Sequence, residues 1–255
     1  MEARSEGSGR ALPPGISLEG RRVLLTGAAS GIGRATATCL AELGADLTIT
    51  DVSPLEEVSA EAEAAGASVE PVQGDLIDDE FLDGLLRRGP YDALASVAGV
   101  FFPPEGMSSK EGFNWVMEVN LRAPLRLASA CVDQMGERGG GNVVLVGSAA
   151  GRNGGAVAND SIEYATYAGS KGGVHSVVRW LSRRAAAKNV VVNGVAPGPV
   201  ETPLSAPHSF NPNSIPLGRM GKPHELGWPI ALLCSPAATF TVGAVLDVNG
   251  GSFIG

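Results

Sequence analysis

Cysteine and histidine are scarce in this 255-residue chain, three of each, and those present are scattered. Cys39, Cys131 and Cys234 are odd in number and widely separated, and none stands at metal-ligand spacing from another cysteine or from His175, His208 or His224. That argues against a disulfide framework or a metal site and for small buried thiols in a reducing compartment. Basic residues are also in deficit: 19 stand against 27 acidic ones, for a net charge of −8, and they do not cluster. Nucleic acid and anionic membrane both need concentrated Lys and Arg, so neither is expected as a partner. Long apolar runs are missing too. Stretches such as residues 228–234 fall far short of the roughly 20 residues that span a bilayer. Residues 1–17 hold charges, Gly and Pro where a signal peptide needs an apolar core. The expectation is a cytoplasmic protein with a disordered tail over residues 1–17 and one domain over 18–255.

Glycine, by contrast, is plentiful at 35 residues, and its most informative cluster is Gly27-Ala28-Ala29-Ser30-Gly31-Ile32-Gly33. It directly follows the apolar run Val23, Leu24, Leu25 and precedes a helical pattern over residues 34–43. Without Cβ atoms at Gly27, Gly31 and Gly33, a tight turn can bring amide N–H groups and a helix N-terminus against a pyrophosphate. The spacing is G-x-x-x-G-x-G, and the competing reading is an ordinary glycine-rich loop. Asp51 ends a second strand over residues 45–50 and lies where an acid accepts hydrogen bonds from an adenosine ribose. Its charge repels a 2′-phosphate, and no Lys or Arg lies between Gly27 and Gly33 or directly after Asp51. These features favour NAD over NADP, the alternative being a strand-end Asp that makes a turn.

Beyond Asp51 the pattern continues as a helix over 54–65, a strand over 68–73, a short helix over 79–88 and a strand over 91–99. A long helix over about 110–135 carries Asn120, the fifth strand over 141–147 carries Ser148 at its tip, another long helix covers about 163–188, and the sixth strand over 190–196 ends at Pro197-Gly198. A helix over 223–234 and a strand over 244–248 complete the chain. Strands alternating with helices predict an α/β fold, a doubly wound parallel sheet of the Rossmann type with its ligand crevice at the carboxyl ends of the strands. Residues 203–221 are too long for an ordinary connection and read as a mobile substrate lid.

Chemistry enters with Tyr167 and Lys171, four residues apart on the predicted helix, roughly 6 Å along its axis and on one face. With three Tyr and four Lys in the chain, chance supplies such a pair about one time in twenty. A nearby ammonium favours phenolate and lowers a Tyr pKa towards the range of a general acid or base. Ser148, on the preceding strand tip, can share a substrate oxygen with the Tyr167 hydroxyl, while Lys171 reaches a nicotinamide ribose. Tyr164 reads as a packing or rim residue.

In these motifs the sequence resembles the short-chain dehydrogenase/reductase family, in its compact single-domain form, over about residues 17–251. The resemblance implies a pyrophosphate held by Gly27, Ser30, Gly31, Ile32 and Gly33, a ribose on Asp51, adenine near Asp75 and Leu76, and a cofactor passing Ala98 and Gly99. It also implies a catalytic tetrad of Asn120, Ser148, Tyr167 and Lys171, with Asn120 holding a water that relays protons to Lys171. Pro197-Gly198-Pro199-Val200-Glu201-Thr202 matches the segment that holds the carboxamide, through the Val200 backbone and the Thr202 hydroxyl. Two departures stand out: Ser96-Val97-Ala98-Gly99 where the family commonly has Asn-Asn-Ala-Gly, and a long Ser148-to-Tyr167 gap with a polar insert over 152–163. The expected function is NAD(H)-dependent oxidoreduction of a secondary alcohol or ketone, apolar or cyclic, with Phe101, Phe102, Met107, Ile162, Leu204 and Phe210 as candidate pocket residues. The alternatives are a 3-oxoacyl thioester reductase and a non-catalytic dinucleotide sensor on the same fold. A homotetramer is implied by the resemblance, with Ala168, Val174, Val178 and Leu181 as interface candidates and residues 252–255 near another interface.

Overall fold

The computed structural model describes residues 15–155, 161–206 and 211–255. Seven short, largely apolar segments form one wholly parallel sheet: β1 (Arg22–Thr26), β2 (Asp46–Asp51), β3 (Val69–Gln73), β4 (Ala93–Ser96), β5 (Gly141–Val146), β6 (Val190–Pro197) and β7 (Val245–Val248). Their order is β3-β2-β1-β4-β5-β6-β7, so the chain winds outward from β1 to β3, returns to the other side of β1 and winds on to β7. The switch between β1 and β4 is where a parallel sheet opens a crevice beyond its carboxyl edge.

Near-continuous apolar strands require cover on both faces, and among the described residues helices supply it: α1 (Gly31–Glu42), α2 (Glu56–Ala64), α3 (Asp79–Arg87), α5 (Ala123–Glu137), α7 (Ile162–Ala185) and α8 (Pro223–Cys234), with α4 (Ser109–Met117) and α6 (Ala150–Asn153) packed on α7. Alternate residues of one strand feed opposite cores. Val23 and Leu25 pack with Leu40 of α1 and with Leu226 and Ile230 of α8, whereas Leu24 packs with Leu127 of α5 and Val178 of α7. Each such side chain, fully buried, contributes about 1.5–3 kcal/mol. The doubly wound α/β architecture expected from the alternation is the one observed. Among the described residues, no helix is long and apolar enough to cross a membrane.

Several expectations change. The tail ends earlier than residue 17: Ile16 already packs against the core and Leu18 is fully buried, while residues 1–14 lie outside the described ones. The long helix expected over 110–135 is broken by a π-helical turn at Glu118–Arg122. Pro124, in the first turn of α5, has no N–H for the carbonyl four residues back, that of Asn120, and the ladder widens there. Ala168, Val174, Val178 and Leu181 are buried in this chain's own cores and are not available to a partner. Part of the insert is the one-turn helix α6, closed by left-handed Gly154, and residues 156–160 lie outside the described ones. The stretch 203–221, expected to be mobile, is tied down at its far end. Ile215 is buried against Gly250, Leu217 N–H donates to the Gly250 carbonyl at 3.0 Å, and Val200 bridges to Gly221. Residues 207–210, with the pocket candidate Phe210, fall outside the described residues. All three cysteines are unpaired and buried, and burial pushes each thiol up to about 12.

Candidate active site

The glycine turn leaves β1 in left-handed conformations, φ +72° at Gly27 and +51° at Gly31, which glycine adopts without strain. Close approach is demanded as well. A Cβ on Gly27 would stand 2.6 Å from the Ala98 backbone beyond β4, and one on Gly33 would stand 1.8 Å from the Gly27 carbonyl. Gly31 faces Thr202, whose side chain a Cβ there would meet at 3.0 Å, so the turn and the segment after β6 border one cleft. Ser30 is the exposed N-cap of α1, makes no side-chain cap bond, and is followed by no acidic residue in the first turn. Ile32 packs on the core behind it. Helix-terminal N–H groups free of an acidic cap suit a diphosphate, so these residues fit a dinucleotide.

Asp51 is drawn to this turn: its Oδ2 accepts the Ala29 N–H at 3.0 Å and its Oδ1 the Ser53 N–H at 2.9 Å. The first cation past the turn, Arg34, is held by Glu57 and Glu61 of α2 at 2.9 and 2.6 Å. Asp75 is exposed after β3, accepting the Ile77 N–H at 3.1 Å, and Leu76 beside it is buried.

Beyond the switch the polar residues converge. Asn120, fully buried in the π turn, clamps Val100 by accepting its N–H and donating to its carbonyl, both at 2.8 Å, and donates to Ser170 Oγ at 3.1 Å. Gly99 leaves the space between Asn120 and Lys171, where a Cβ would lie 2.9 Å from Lys171 Nζ. Ser148, at the tip of β5, accepts the Ala150 N–H on its hydroxyl at 3.1 Å, which fixes that hydroxyl's direction. The Tyr167 phenol, 6% exposed, lies close enough to Ser148 for that hydroxyl to favour its ionised form. Phe101 covers the phenol ring at 4.2 Å between centroids and stacks on Tyr164 at 6.3 Å. The pocket candidates Met107, Ile162 and Leu204 are exposed, so the contact on Tyr167 comes from Phe101 and Tyr164.

One electrostatic expectation is corrected. Burial pushes the Tyr167 phenol up to about 12, the Ser148 hydroxyl pulls against that rise, and the Tyr164 hydroxyl adds to it. Lys171 is not among these influences. The Lys171 ammonium donates instead to the Val146 carbonyl of β5 at 3.0 Å, and burial brings its own pKa down to about 8. The segment after β6 is anchored by its own bonds. Gly198 N–H donates to Val248 O at 3.1 Å, Pro197 O accepts the Ala149 N–H at 2.8 Å, Val200 is buried, and Thr202 exchanges hydrogen bonds with Ser205 at 3.0–3.2 Å.

A family model described as enoyl-(acyl carrier protein) reductase matches residues 27–252. Cis-4-hydroxycyclohexanecarboxylate dehydrogenase of Sinomonas cyclohexanicum is 35% identical over 244 residues, 91% of this chain and 96% of that protein. The 3-oxoacyl-(acyl-carrier-protein) reductase of Thermotoga maritima is 32% identical over 94% of this chain and all of its own length. A crystal structure from Beutenbergia cavernae, provisionally named an NAD(P)-dependent gluconate 5-dehydrogenase and holding NADP at low occupancy, superposes with a TM-score of 0.84 at 32% identity, over 93% of this chain and 98% of that one. The chain belongs to the short-chain dehydrogenase/reductase family.

Within this family, the departure at Ser96-Val97 has a physical trace. Thr26 pairs in register with Thr50 on one side and Ser96 on the other. Among the described residues, the buried Thr50 and Ser96 hydroxyls lack a hydrogen-bond partner. Sequence reasoning passed over His175. It lies one turn past Lys171 on α7, is 2% exposed, and accepts the Ser148 N–H on Nε2 at 3.4 Å. Its signal was the four-residue step from Tyr167 through Lys171, which a scan for metal-ligand spacing does not register.

The buried ammonium of Lys171 makes a prediction about stability. Its folded pKa, about 8, lies below the ordinary lysine value of 10.5, so between those limits the unfolded chain binds more protons than the folded one. Stability from this group therefore rises with pH through that window and is lost as pH falls through about 8. Urea unfolding of the parent and of Lys171→Met across pH 7 to 10.5 should show the parent gaining on the variant as pH rises; parallel curves would refute it.

Proposed function

We propose that the protein transfers a hydride between NAD(H) and a secondary alcohol or its ketone. The observation that carries this reading is the Tyr167 phenol, buried beneath Phe101 and within the influence of the Ser148 hydroxyl, at the carboxyl edge of the sheet beside the glycine turn. The nicotinamide, when bound, supplies or accepts the hydride. Ser148 donates to the substrate oxygen, its hydroxyl having one lone pair taken by the Ala150 N–H. Tyr167 gives that oxygen its proton in reduction and takes it in oxidation. With the phenol near 12, the protonated form dominates at neutral pH and favours reduction. Lys171 holds the nicotinamide ribose. The side-chain amide of Asn120 is already committed to Val100 and Ser170, so a relay water rests on its main-chain carbonyl, the one Pro124 cannot serve.

The aromatic wall of Phe101 and Tyr164 favours a flat or cyclic substrate, and a relative named for a hydroxycyclohexanecarboxylate supports a ring-borne alcohol. The several 3-oxoacyl-(acyl-carrier-protein) reductases among the relatives make a 3-oxoacyl thioester the second substrate class to test. Residues 203–221 act as the lid over the substrate. A homotetramer belongs to the same reading, with the outer face of α7 at exposed Trp180 and the C-terminal Ile254 as contacts; a monomer mass by light scattering at micromolar concentration would remove it.

NAD(H) should exceed NADP(H) in kcat/KM by about tenfold or more, since Asp51 sets a like charge against a 2′-phosphate and Arg34 is already paired. Asp51→Ala should narrow the gap. Equal efficiency with both cofactors in the parent would defeat this assignment.

Tyr167→Phe should keep NADH binding while lowering kcat by about 10²- to 10⁴-fold, and Tyr164→Phe should cost far less. Ketone reduction by the parent should hold at neutral pH and fall towards alkaline pH, whereas alcohol oxidation should rise. These are read from nicotinamide absorbance on cyclic alcohols, ketones and a 3-oxoacyl thioester. Normal turnover by Tyr167→Phe, or no turnover of any substrate by the parent, would overturn the reading.

A further inference from the structure

α7 carries Tyr167, Lys171 and His175 at four-residue steps, so three polar side chains share one buried stripe facing the tip of β5. The last of them has no part in the chemistry above. His175 is 2% exposed and lies so close under β5 that a Cβ on Gly147 would stand 2.2 Å from its Nε2. The ladder explains why it is there. Past Val146, the N–H groups that face β6 are satisfied by it: Gly147 donates to Val195 O at 2.8 Å and Ala149 to Pro197 O at 2.8 Å. Ser148 N–H points the other way, towards β4, whose last pair with β5 is Ser96 with Leu145. With no strand left on that side, Ser148 N–H donates to His175 Nε2 at 3.4 Å.

We propose that His175 is a positioning residue for the alcohol–ketone reaction: by accepting the Ser148 N–H it holds the Ser148 main chain so that the hydroxyl faces the Tyr167 phenol. An acceptor Nε2 must carry no proton, which assigns the hydrogen of the neutral ring to Nδ1. The surroundings keep the ring neutral. Burial lowers its pKa to about 4, and the charges of Arg152, Arg179 and Lys171 act in the same direction. The inference rests on the function proposed above, and its test separates the two.

His175→Leu fills a similar volume without an acceptor, His175→Gln can set an amide oxygen where Nε2 lies, and the shorter side chain of His175→Asn cannot reach. In steady-state ketone reduction His175→Leu should lower kcat by about tenfold or more, with the NADH dissociation constant little changed and the melting temperature lowered only by the few degrees that one unpaired buried N–H costs. His175→Gln should recover most of that loss and His175→Asn should not. Tyr167→Phe is measured alongside. If it is inactive while His175→Leu turns over normally, the role of His175 is overturned and the wider reading stands; if Tyr167→Phe is active, the wider reading falls. Should His175→Leu fail to fold, the Gln and Asn variants decide: equal kcat in the two would overturn the proposal, and a higher kcat for Gln supports it.

Discussion

The early end of β4 is the constraint on which the site depends. β4 stops at Ser96, opposite Leu145, while β5 continues to Val146 and its backbone on to Ser148. Main-chain groups on the β4 side are then left without a ladder, and a buried polar group without a partner costs about 1–3 kcal/mol. α7 supplies the partners as side chains: Lys171 donates to the Val146 carbonyl and His175 accepts the Ser148 N–H. The same early end lets the chain turn aside at Ala98 and Gly99, which opens room for the glycine turn on one side and for Lys171 on the other. Crevice and polar stripe have one cause.

That cause also explains how Tyr167 is oriented. α7 must sit in one register for Lys171 and His175 to reach β5, and that register sets Tyr167 one turn earlier, against Ser148. Further contacts hold it: a Cβ on Gly151 would meet the Lys171 and Gly172 backbone at 2.7 Å, and one on Gly173 would meet Leu121 at 2.9 Å. Arg152 of α6 pairs with Asp247 of β7 at 3.2 Å and donates to the Val245 carbonyl at 2.8 Å, tying the helix beside Ser148 to the last strand. Small residues thus set distances, and charged ones set direction.

Strand and helix order were legible in the sequence because buried parallel strands leave short apolar runs, as at residues 190–196, and glycine turns mark their ends. The candidate site residues Ser148, Tyr167 and Lys171 were legible as types and spacings, and all three lie buried where the tip of β5 meets α7. Two things were not. A break in a helix that depends on one missing N–H, Pro124 against Asn120, barely alters the apolar period. The partners of Lys171 and His175 are main-chain groups, which carry no residue identity, so no motif could announce them; spacing suggested Lys171 for the phenol, and the orphaned Val146 carbonyl took it.

The buried pair Tyr167 and Lys171 then works differently from a simple ion pair. Both groups are held away from water, and each is pushed towards its neutral form, the phenol up to about 12 and the ammonium down to about 8. The Lys171 ammonium is directed at the Val146 carbonyl, and the apolar cover of Phe101 at 4.2 Å keeps solvent from stabilising a phenolate. On the proposed reading the resting site is therefore set for proton donation, and proton removal is assisted by whatever positive charge or base enters the cleft. Ser148 is the group present that eases it, since the nearness of its hydroxyl is the influence on Tyr167 that acts downward. The orientation of that hydroxyl, fixed by Ala150 in front and His175 behind, accordingly matters to acid–base chemistry as well as to substrate placement.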